Sequence, residues 1–243
     1  MAALGKSFTP TYHHRSYPAI DPSRPELSAK GKVVVITGGG QGIGKATARA
    51  FTQANASAII ITGRTQQTLL ETKMELEKLN PGTKVCTFVG DVTDEAAVRT
   101  IFDSIKQDFG HVDVFVSNAG YLPEPTPISK QDSDDFWKAF EINTKGAFNV
   151  VRAFLSVASP HATLINVSTA AAHMAFPGQQ GYSSSKAAAL SLFEYVQNEN
   201  DALRVVSVHP GVILTAMSVK SGYPPQDDGE SLTLLSSTRS LNL

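Results

Sequence analysis

VVVITGGGQGIG, residues 33–44, joins an apolar run to a glycine-rich turn, and a segment with helical periodicity follows. A strand, a glycine turn and a helix N-terminus together form an anion site. Backbone N–H groups point outward there, the helix dipole favours negative charge, and missing β-carbons let a phosphate approach. The spacing is TGxxxGxG, with Gly38, Gly42 and Gly44, rather than the strict GxGxxG pattern. The segment therefore predicts a site for the pyrophosphate of a dinucleotide.

Two other interpretations of this turn are open. Residues 39–45 match the GxxxxGK loop of P-loop NTPases, but residue 46 is Ala where that loop needs a hydroxyl for magnesium. Thr47, one residue later, would point about 100° away on a helix. Asp91 could still serve as a second magnesium partner, so a P-loop NTPase is retained as the lesser alternative. The turn could also simply join a strand to a helix.

Short apolar segments alternate with longer segments of helical period from residue 32 onward. The short segments are apolar throughout, as strands covered on both faces are. They predict an α/β fold, a single-domain doubly wound parallel sheet of the Rossmann type with helices on both faces. The predicted strands are 32–37, 58–62, 84–89, 112–116, 163–167 and 204–208, and the predicted helices are 42–55, 66–79, 94–109, 133–158 and 182–198. Thr93 and the acidic run 132–135 are expected to cap two of these helices.

The chain divides into three parts. Residues 1–31 contain four prolines and predict an extended arm lying on the domain, residues 32–215 form the domain, and residues 216–243 form an atypical, shortened lid or tail. The tail alternates Ser and Leu and predicts no seventh strand. His13 and His14 have no Cys or acidic partner at ligand spacing, so no metal site is expected.

Composition excludes several classes of function. The 243 residues carry 21 basic and 22 acidic side chains, so no field exists to hold a nucleic acid. No stretch of about 18 apolar residues predicts a membrane span, and the N-terminus lacks the core of a signal peptide. The single cysteine, Cys86, fits a buried thiol in a reducing compartment. These features predict a cytoplasmic protein.

The end of the second predicted strand bears on cofactor choice. Arg64 stands 20 residues after Gly44, where dinucleotide folds place the side chain that meets the adenosine ribose. A guanidinium there can pair with the 2′-phosphate of NADP(H), whereas a carboxylate would repel it. NADP(H) is therefore favoured and NAD(H) remains possible. Arg64 could alternatively be a solvated surface residue.

Tyr182 and Lys186 are four residues apart at the start of a predicted helix, and so they share one face. An ammonium within about 4 Å of a phenol favours the phenolate by roughly one to three pKa units. We expect this pair to let the tyrosine give or take a proton near neutral pH. The pattern can also arise by chance on one helix face.

Several motifs occur in one order along the chain, and together they resemble those of the short-chain dehydrogenase/reductase family over about residues 32–215. They are TGGGQGIG at 37–44, SNAG at 117–120, Asn143, the pair Ser168 and Thr169, YSSSK at 182–186, and HPGV at 209–212. The resemblance implies that Tyr182 is the general acid/base, that Lys186 lowers its pKa and binds the nicotinamide ribose, and that Asn143 holds a water in the proton relay. It implies a cofactor site formed by Gly38, Gln41, Gly42, Ile43, Gly44, Arg64, Asp91, Val92, Asn118, Ala119, Gly120, Tyr182, Lys186, Pro210, Gly211, Val212 and Thr215.

One assignment within the resemblance is ambiguous. A serine hydroxyl that contacts the reacting oxygen usually stands 13 residues before the tyrosine, and that count selects Thr169, with Ser168 as the second choice. Successive strand residues face opposite ways, so only one should reach the substrate. His173 is expected to border the substrate. Trp137 is expected in a core or a subunit interface.

The resemblance implies an NADP-dependent oxidoreductase that moves hydride between nicotinamide and a ketone or secondary alcohol. The expected partners are a small carbonyl or alcohol substrate and a second copy of the chain, with a homodimer formed through the helices 133–158 and 182–198. The short tail motivates an alternative with the same fold and cofactor: an epimerase, a dehydratase or a cofactor-binding protein with weakened catalysis.

Overall fold

The structure, a computed structural model, describes residues 17–222, and a six-stranded sheet lies at its centre. All five strand pairs are parallel, and the strand order is β3-β2-β1-β4-β5-β6. The strands are β1 Val33–Thr37, β2 Ala58–Gly63, β3 Lys84–Val89, β4 Val112–Ser117, β5 Ala158–Val167 and β6 Arg204–Val208. The predicted doubly wound parallel sheet is confirmed.

Helices cover both faces of the sheet. They are α1 Gly42–Gln53, α2 Gln66–Leu79, α3 Glu95–Phe109, α4 Ser133–Phe140, α5 Gly146–Leu155, α6 Gln180–Glu199 and α7 Ala216–Ser221. One apolar layer packs between the sheet and α3, α5 and α6, where the rings of Phe115 and Phe154 stack 5.1 Å apart. A second layer packs between the sheet and α1 and α2, around Ile61, Leu69 and Leu76.

The strand order reverses between β1 and β4, because β2 and β3 lie on one side of β1 while β5 and β6 lie beyond β4. Crossovers leaving these two strands turn to opposite faces of the sheet and open a crevice at the carboxyl ends of the strands. Most of the predicted site residues follow the carboxyl ends of these strands, at the edge of the sheet where this crevice opens. The fold thus gathers motifs that are far apart in sequence.

The predicted helix 133–158 is wrong in two respects. A five-residue π-helical segment, Glu141–Lys145, interrupts it, and α5 ends at Leu155. Ala158 already belongs to β5, which is twice as long as the predicted strand. The helical period of the sequence continues through residue 145, so the wider π turn leaves no mark in the apolar pattern.

The cap predicted at Thr93 is also wrong. Asp94 occupies the N-cap of α3, where its side chain accepts a hydrogen bond from the backbone N–H of Ala97 at 3.0 Å. The acidic run 132–135 behaves as expected, because Asp132 caps α4 by accepting from the N–H of Asp135 at 2.8 Å.

The segment before β1 is described from residue 17. It forms two single turns of 3-10 helix, Pro18–Ile20 and Pro25–Leu27, and the backbone N–H of Ala29 binds the carbonyl of Ala54 at 2.7 Å. His13, His14 and the tail from residue 223 lie outside the described residues. Within residues 17–222, none of the helices combines the length and apolarity that crossing a membrane requires.

Candidate active site

The glycine turn after β1 is shaped by contacts that exclude β-carbons. Gly38 and Gly42 have positive φ angles of 67° and 53°. A β-carbon on Gly44 would lie 2.3 Å from the carbonyl oxygen of Gly38, and one on Gly38 would lie 2.9 Å from Nδ2 of Asn118. Only glycine fits these positions, and the turn leads into the first residues of α1 at the crevice.

The segment after β4 is fastened to this turn. Nδ2 of Asn118 donates to the carbonyl of Thr37 at 2.8 Å, and the backbone N–H groups of Asn118 and Ala119 both donate to Oγ1 of Thr37 at 3.0 Å. Gly120 follows, and a β-carbon there would lie 3.4 Å from Oδ1 of Asn143. Residues 118–120 therefore form one wall of the crevice.

The lysine of the P-loop-like pattern is engaged elsewhere. Nζ of Lys45 lies 2.6 Å from a carboxylate oxygen of Glu75, on α2, and so the ammonium pairs with α2. Residue 46 is alanine and carries no hydroxyl for magnesium. This arrangement does not favour a P-loop NTPase.

Arg64 and Asp91 follow β2 and β3, and they lie side by side. Nη1 of Arg64 is 4.0 Å from Oδ2 of Asp91, and the Arg64 side chain is 64% exposed. Oδ1 of Asp91 accepts hydrogen bonds from the N–H and the hydroxyl of Thr93 at 2.9 and 2.8 Å. The loop at Val92 is held by Asn149, whose Nδ2 donates to the Val92 carbonyl at 3.0 Å. The guanidinium of Arg64 is thus largely exposed beside the Asp91 carboxylate, after the carboxyl end of β2.

Asn143 lies in the π-helical segment and is buried. Its Oδ1 accepts from the backbone N–H of Tyr121 at 2.7 Å, while its Nδ2 donates to the carbonyl of Tyr121 at 2.8 Å and to Oγ of Ser185 at 2.9 Å. Ser185 in turn donates to the carbonyl of Tyr182 at 2.9 Å. The side-chain amide of Asn143 is therefore fixed at both ends and linked to the α6 backbone.

Lys186 is 7% exposed, and its Nζ donates to the carbonyl of Val167, at the end of β5, at 2.8 Å. Burial lowers the pKa of Lys186 to about 8. The amine therefore still carries a proton near neutral pH, at the point where β5 and α6 meet.

Tyr182 is half-buried near the start of α6. Burial raises the pKa of its phenol to about 12, and a hydrogen bond with the Thr169 side chain acts in the opposite direction. From the sequence we expected the lysine to lower this pKa. In the protein alone, removal from water sets the direction instead, because the neutral phenol is easier to bury than the phenolate.

The structure distinguishes the two hydroxyls after β5. Thr169 interacts with the phenol of Tyr182, and its Oγ1 accepts from the N–H of Ala171 at 3.2 Å, which leaves its own proton free to donate. Oγ of Ser168 is buried and has no hydrogen-bond partner among residues 17–222. Thr169 is thus the hydroxyl that the fold places beside the tyrosine.

The loop after β6 closes over the glycine turn. Gly211 has a φ of 87°, and Thr215 caps α7 through reciprocal bonds with Ser218. A β-carbon on Gly42 would lie 3.3 Å from Cγ2 of Thr215. Residues 210–215 therefore approach the glycine turn, residues 38–44, which residues 118–120 also contact. We call this turn the cradle. Gln41, Pro210 and Val212 lie within these two loops, and Ile43 lies in the first turn of α1.

Sequence reasoning missed Tyr121, Ser185 and Lys220. Tyr121 directly follows the SNAG motif and binds both ends of the Asn143 amide, and its position next to that motif is the only signal that could have indicated it. Ser185 lies inside YSSSK, but the motif specifies only its tyrosine and its lysine, so it assigns no role to the serines between them. His173 is exposed, and Trp137 is 58% exposed, so Trp137 does not lie in a core of this chain.

Comparisons with known proteins identify the family of the chain. The family model for short chain dehydrogenase matches residues 32–224. The chain is 33% identical over 224 residues to the short chain dehydrogenase/reductase AacuD of Aspergillus aculeatus, covering 91% of this chain and 77% of that protein. The chain belongs to the short-chain dehydrogenase/reductase family and is an oxidoreductase of that family.

Solved structures give the same fold. The structure of an NAD⁺-bound xylitol dehydrogenase is 30% identical with a TM-score of 0.73, covering 78% of this chain and 73% of that one. An alcohol dehydrogenase from Thermococcus sibiricus, complexed with 5-hydroxy-NADP, is 30% identical with a TM-score of 0.72, covering 76% and 77%. One of these proteins holds NAD⁺ and the other an NADP derivative, so family membership establishes a nicotinamide cofactor without choosing between them.

Proposed function

We propose that this chain is an NADP(H)-dependent ketoreductase or secondary alcohol dehydrogenase that acts on a small carbonyl or alcohol substrate. The observation that carries the proposal is the pairing of Tyr182 with Thr169 at the carboxyl end of β5. A phenol and a second hydroxyl that face one crevice can bind the same substrate oxygen, as carbonyl reduction requires.

The residues present fit a nicotinamide dinucleotide. Gly38 and Gly44 have no room for a β-carbon, and the close-packed turn that they form leads into the N-terminus of α1, where a pyrophosphate could bind. Residues 91–92, 118–120 and 210–215 would border the rest of the cofactor. When bound, the nicotinamide ring supplies or accepts the hydride. The chain's own residues donate or accept the proton.

The preference for NADP(H) rests on Arg64. Its exposed guanidinium, 4.0 Å from Asp91, can form a forked pair of charged hydrogen bonds with a 2′-phosphate. Asp91 is held by Thr93 and would meet the adenine, and its contact with Arg64 would keep the guanidinium near the ribose.

The proton chemistry follows from the pKa order of the groups. Tyr182 keeps its proton at neutral pH and donates it to the carbonyl oxygen as that oxygen gains negative charge. Thr169 donates a hydrogen bond to the same oxygen. Lys186 carries a positive charge at neutral pH and stabilises the phenolate that remains, while Asn143 holds the water through which a proton returns. In the oxidative direction, the phenolate takes the proton of the alcohol.

Assembly and location extend the proposal. We expect a cytoplasmic homodimer that pairs through α4, α5 and α6, where Trp137 and Tyr195 are 58% and 63% exposed. Residues 32–215 would form the catalytic domain. Light scattering of the purified protein tests the dimer.

The function is tested by binding and turnover together. Thermal shift with NADPH, NADH and Mg-ATP should show the largest stabilisation with NADPH, because a ligand stabilises only a protein that binds it. Oxidation of NADPH at 340 nm is then followed with a panel of ketones and quinones. Binding of NADPH without turnover of any carbonyl would favour the non-redox alternative, and stabilisation by Mg-ATP alone would contradict the proposal.

A further inference from the structure

Tyr121 is the residue that fixes Asn143, and its own side chain is fastened to α4. Its backbone N–H and carbonyl hold the two ends of the Asn143 amide at 2.7 and 2.8 Å. Its hydroxyl donates to Oδ1 of Asp135 at 2.5 Å, and Oδ2 of the same carboxylate accepts from the backbone N–H of Glu124 at 2.8 Å. One carboxylate thus bridges both ends of the segment 121–124.

Helix α7 holds the same segment from the other side. Nζ of Lys220 donates to the carbonyl of Leu122 at 2.8 Å, lies 3.6 Å from a carboxylate oxygen of Glu124, and lies 5.2 Å from the centre of the Tyr121 ring. The ammonium of Lys138, on α4, lies 5.0 Å from the centre of that ring. The Tyr121 ring therefore lies near cations from two helices, and of these two lysines only Lys220 also binds the backbone of the segment.

A series of hydrogen bonds on either side of Tyr121 links this anchor to the backbone of Tyr182. It runs from Asp135 to the Tyr121 hydroxyl, from the Tyr121 backbone to Asn143, from Asn143 to Oγ of Ser185, and from Ser185 to the carbonyl of Tyr182. Because Asn143 is bonded at both ends of its amide, a shift of the Tyr121 backbone must rotate or displace that amide. The Tyr121 side chain can therefore act on the site without touching substrate.

We propose that Tyr121 is a positioning residue for Asn143, and that Asp135 and Lys220 hold it in place by fixing the segment 121–124 to α4 and α7. Through Lys220, the segment that follows β6 and borders the cofactor crevice is coupled to the orientation of Asn143. The proposal rests on the oxidoreductase function proposed above. It assigns to residues outside the recognised motifs a role in catalysis that is exerted through Asn143.

The ionisation of Tyr121 is consistent with this role. The hydrogen bond to Asp135 raises the pKa of the Tyr121 phenol to about 12, with burial adding to the effect. Tyr121 thus remains a neutral donor over the range in which the enzyme would work. Its phenol serves as a fixed anchor to the carboxylate and does not compete with Tyr182 as an acid.

The first test measures the anchor without turnover. Hydrogen–deuterium exchange is followed on peptides covering residues 118–124 in the wild type and in Tyr121→Phe, Asp135→Asn and Lys220→Met, with Lys138→Met as the matched control. Loss of one hydrogen bond to a charged group corresponds to about a tenfold change, so we expect exchange at the Tyr121 amide to rise about tenfold in the first three variants. We expect it to change less than about twofold in Lys138→Met. Circular dichroism checks that each variant is folded.

The second test measures catalysis with NADPH and the best carbonyl of the panel. We expect kcat to fall about tenfold in Tyr121→Phe while KM for NADPH changes less than about twofold, because the anchor orients Asn143 and does not bind cofactor. The fall in the double variant Tyr121→Phe/Asp135→Asn should be smaller than the product of the two single effects, because Asp135 acts partly through the Tyr121 hydroxyl and partly through the N–H of Glu124.

The outcomes separate the two proposals. Unchanged exchange at Tyr121 in both Tyr121→Phe and Asp135→Asn overturns the positioning role, as does additivity in the double variant. A wild type that turns over no carbonyl, yet whose Tyr121 amide exchanges faster in the variants, supports the anchor and contradicts the proposed reaction. If Asp135→Asn does not fold, Tyr121→Phe alone decides, since it removes only the hydroxyl.

Discussion

The side-chain amide of Asn118 lies 2.8 Å from the carbonyl oxygen of Thr37, and this hydrogen bond joins the carboxyl ends of β4 and β1. These two strands flank the point at which the order of the sheet reverses. The same amide nitrogen is 2.9 Å from the place where a β-carbon on Gly38 would stand. The wall after β4 and the cradle after β1 are therefore one rigid unit, and the predictions for cofactor binding follow from it.

Gly44→Ala should lower the affinity for NADPH at least tenfold. Its β-carbon would stand 2.3 Å from the Gly38 carbonyl and 2.6 Å from Nδ2 of Asn118, so the turn must shift out of the shape that admits a pyrophosphate. Fluorescence titration with NADPH measures the change. Gly82→Ala is the control, because a β-carbon there meets only a side-chain oxygen of Asn80, at 3.2 Å, and the affinity should stay unchanged. Tight NADPH binding by Gly44→Ala would contradict the proposed cradle.

Arg64→Ala should weaken NADPH binding about 10- to 100-fold and leave NADH binding within about twofold. The expected loss is that of a charged hydrogen-bonded pair with the 2′-phosphate, about 1.5–3 kcal/mol. Parallel titrations with both cofactors give the ratio, and the exposed Arg99 on α3 provides the matched substitution to alanine. An equal loss of affinity for NADPH and NADH would show that Arg64 does not bind the 2′-phosphate.

Replacement of Lys186 by methionine should change how stability depends on pH. Burial lowers the pKa of Lys186 from 10.5 to about 8, so the unfolded chain binds more protons than the folded chain between these values. Stability from this group therefore rises as the pH rises through that window. From pH 7 to pH 10, the unfolding free energy of wild type should increase by about 2–3 kcal/mol relative to Lys186→Met. Urea unfolding at each pH measures this free energy. If the difference between the two proteins did not change with pH, Lys186 would not be a buried ammonium with a lowered pKa.

Asp113 makes a separate contribution to stability, at the amino ends of the strands. Its carboxylate is 3.2 Å from Nζ of Lys32 and accepts from the N–H of Val33 at 2.9 Å and from Oγ of Ser159 at 3.2 Å. Burial of the carboxylate acts to raise its pKa, but these bonds outweigh it and leave the pKa below its usual value. Asp113→Asn should cost about 1–3 kcal/mol at pH 7.

The pH dependence of that cost has a definite sign. A carboxylate whose pKa is lowered by folding stabilises the protein above the unfolded value of 3.8, and that contribution is lost as the pH falls through the folded pKa. The difference between wild type and Asp113→Asn should therefore shrink below pH 4. Chemical denaturation at pH 7 and pH 3 tests this, with the exposed Asp103→Asn as control. If the difference in unfolding free energy between the two proteins grew on acidification, the Asp113 carboxylate would not be its source.

The fold was predictable from sequence because strands buried on both faces leave continuous apolar runs, and all six runs became strands. The break at Glu141–Lys145 was not, because a π turn preserves the apolar pattern. The first half of β5 was also missed, since Ala158–Ala162 includes a proline and a histidine with a positive φ of 63° and lacks β-branched residues.

The site was predictable only where motifs carry it. The glycine spacing identified the turn at residues 38–44, and the YSSSK motif identified the pair Tyr182 and Lys186. The direction of the Tyr182 pKa was not predictable, because burial of a side chain depends on packing by distant segments. Tyr121 and Lys220 were missed for the same reason, as was the bond from Asp135 to Tyr121, because these bonds join residues up to 98 positions apart.

The most direct test of the account is the turnover of Tyr182→Phe. With the carbonyl substrate that gives the fastest NADPH oxidation, kcat/KM should fall about 10²- to 10⁴-fold, while the Kd for NADPH stays within about threefold of wild type. Tyr195→Phe, on the exposed face of the same helix, should match wild type. A Tyr182→Phe protein that reduces the carbonyl at the wild-type rate would contradict the central claim that this phenol transfers the proton.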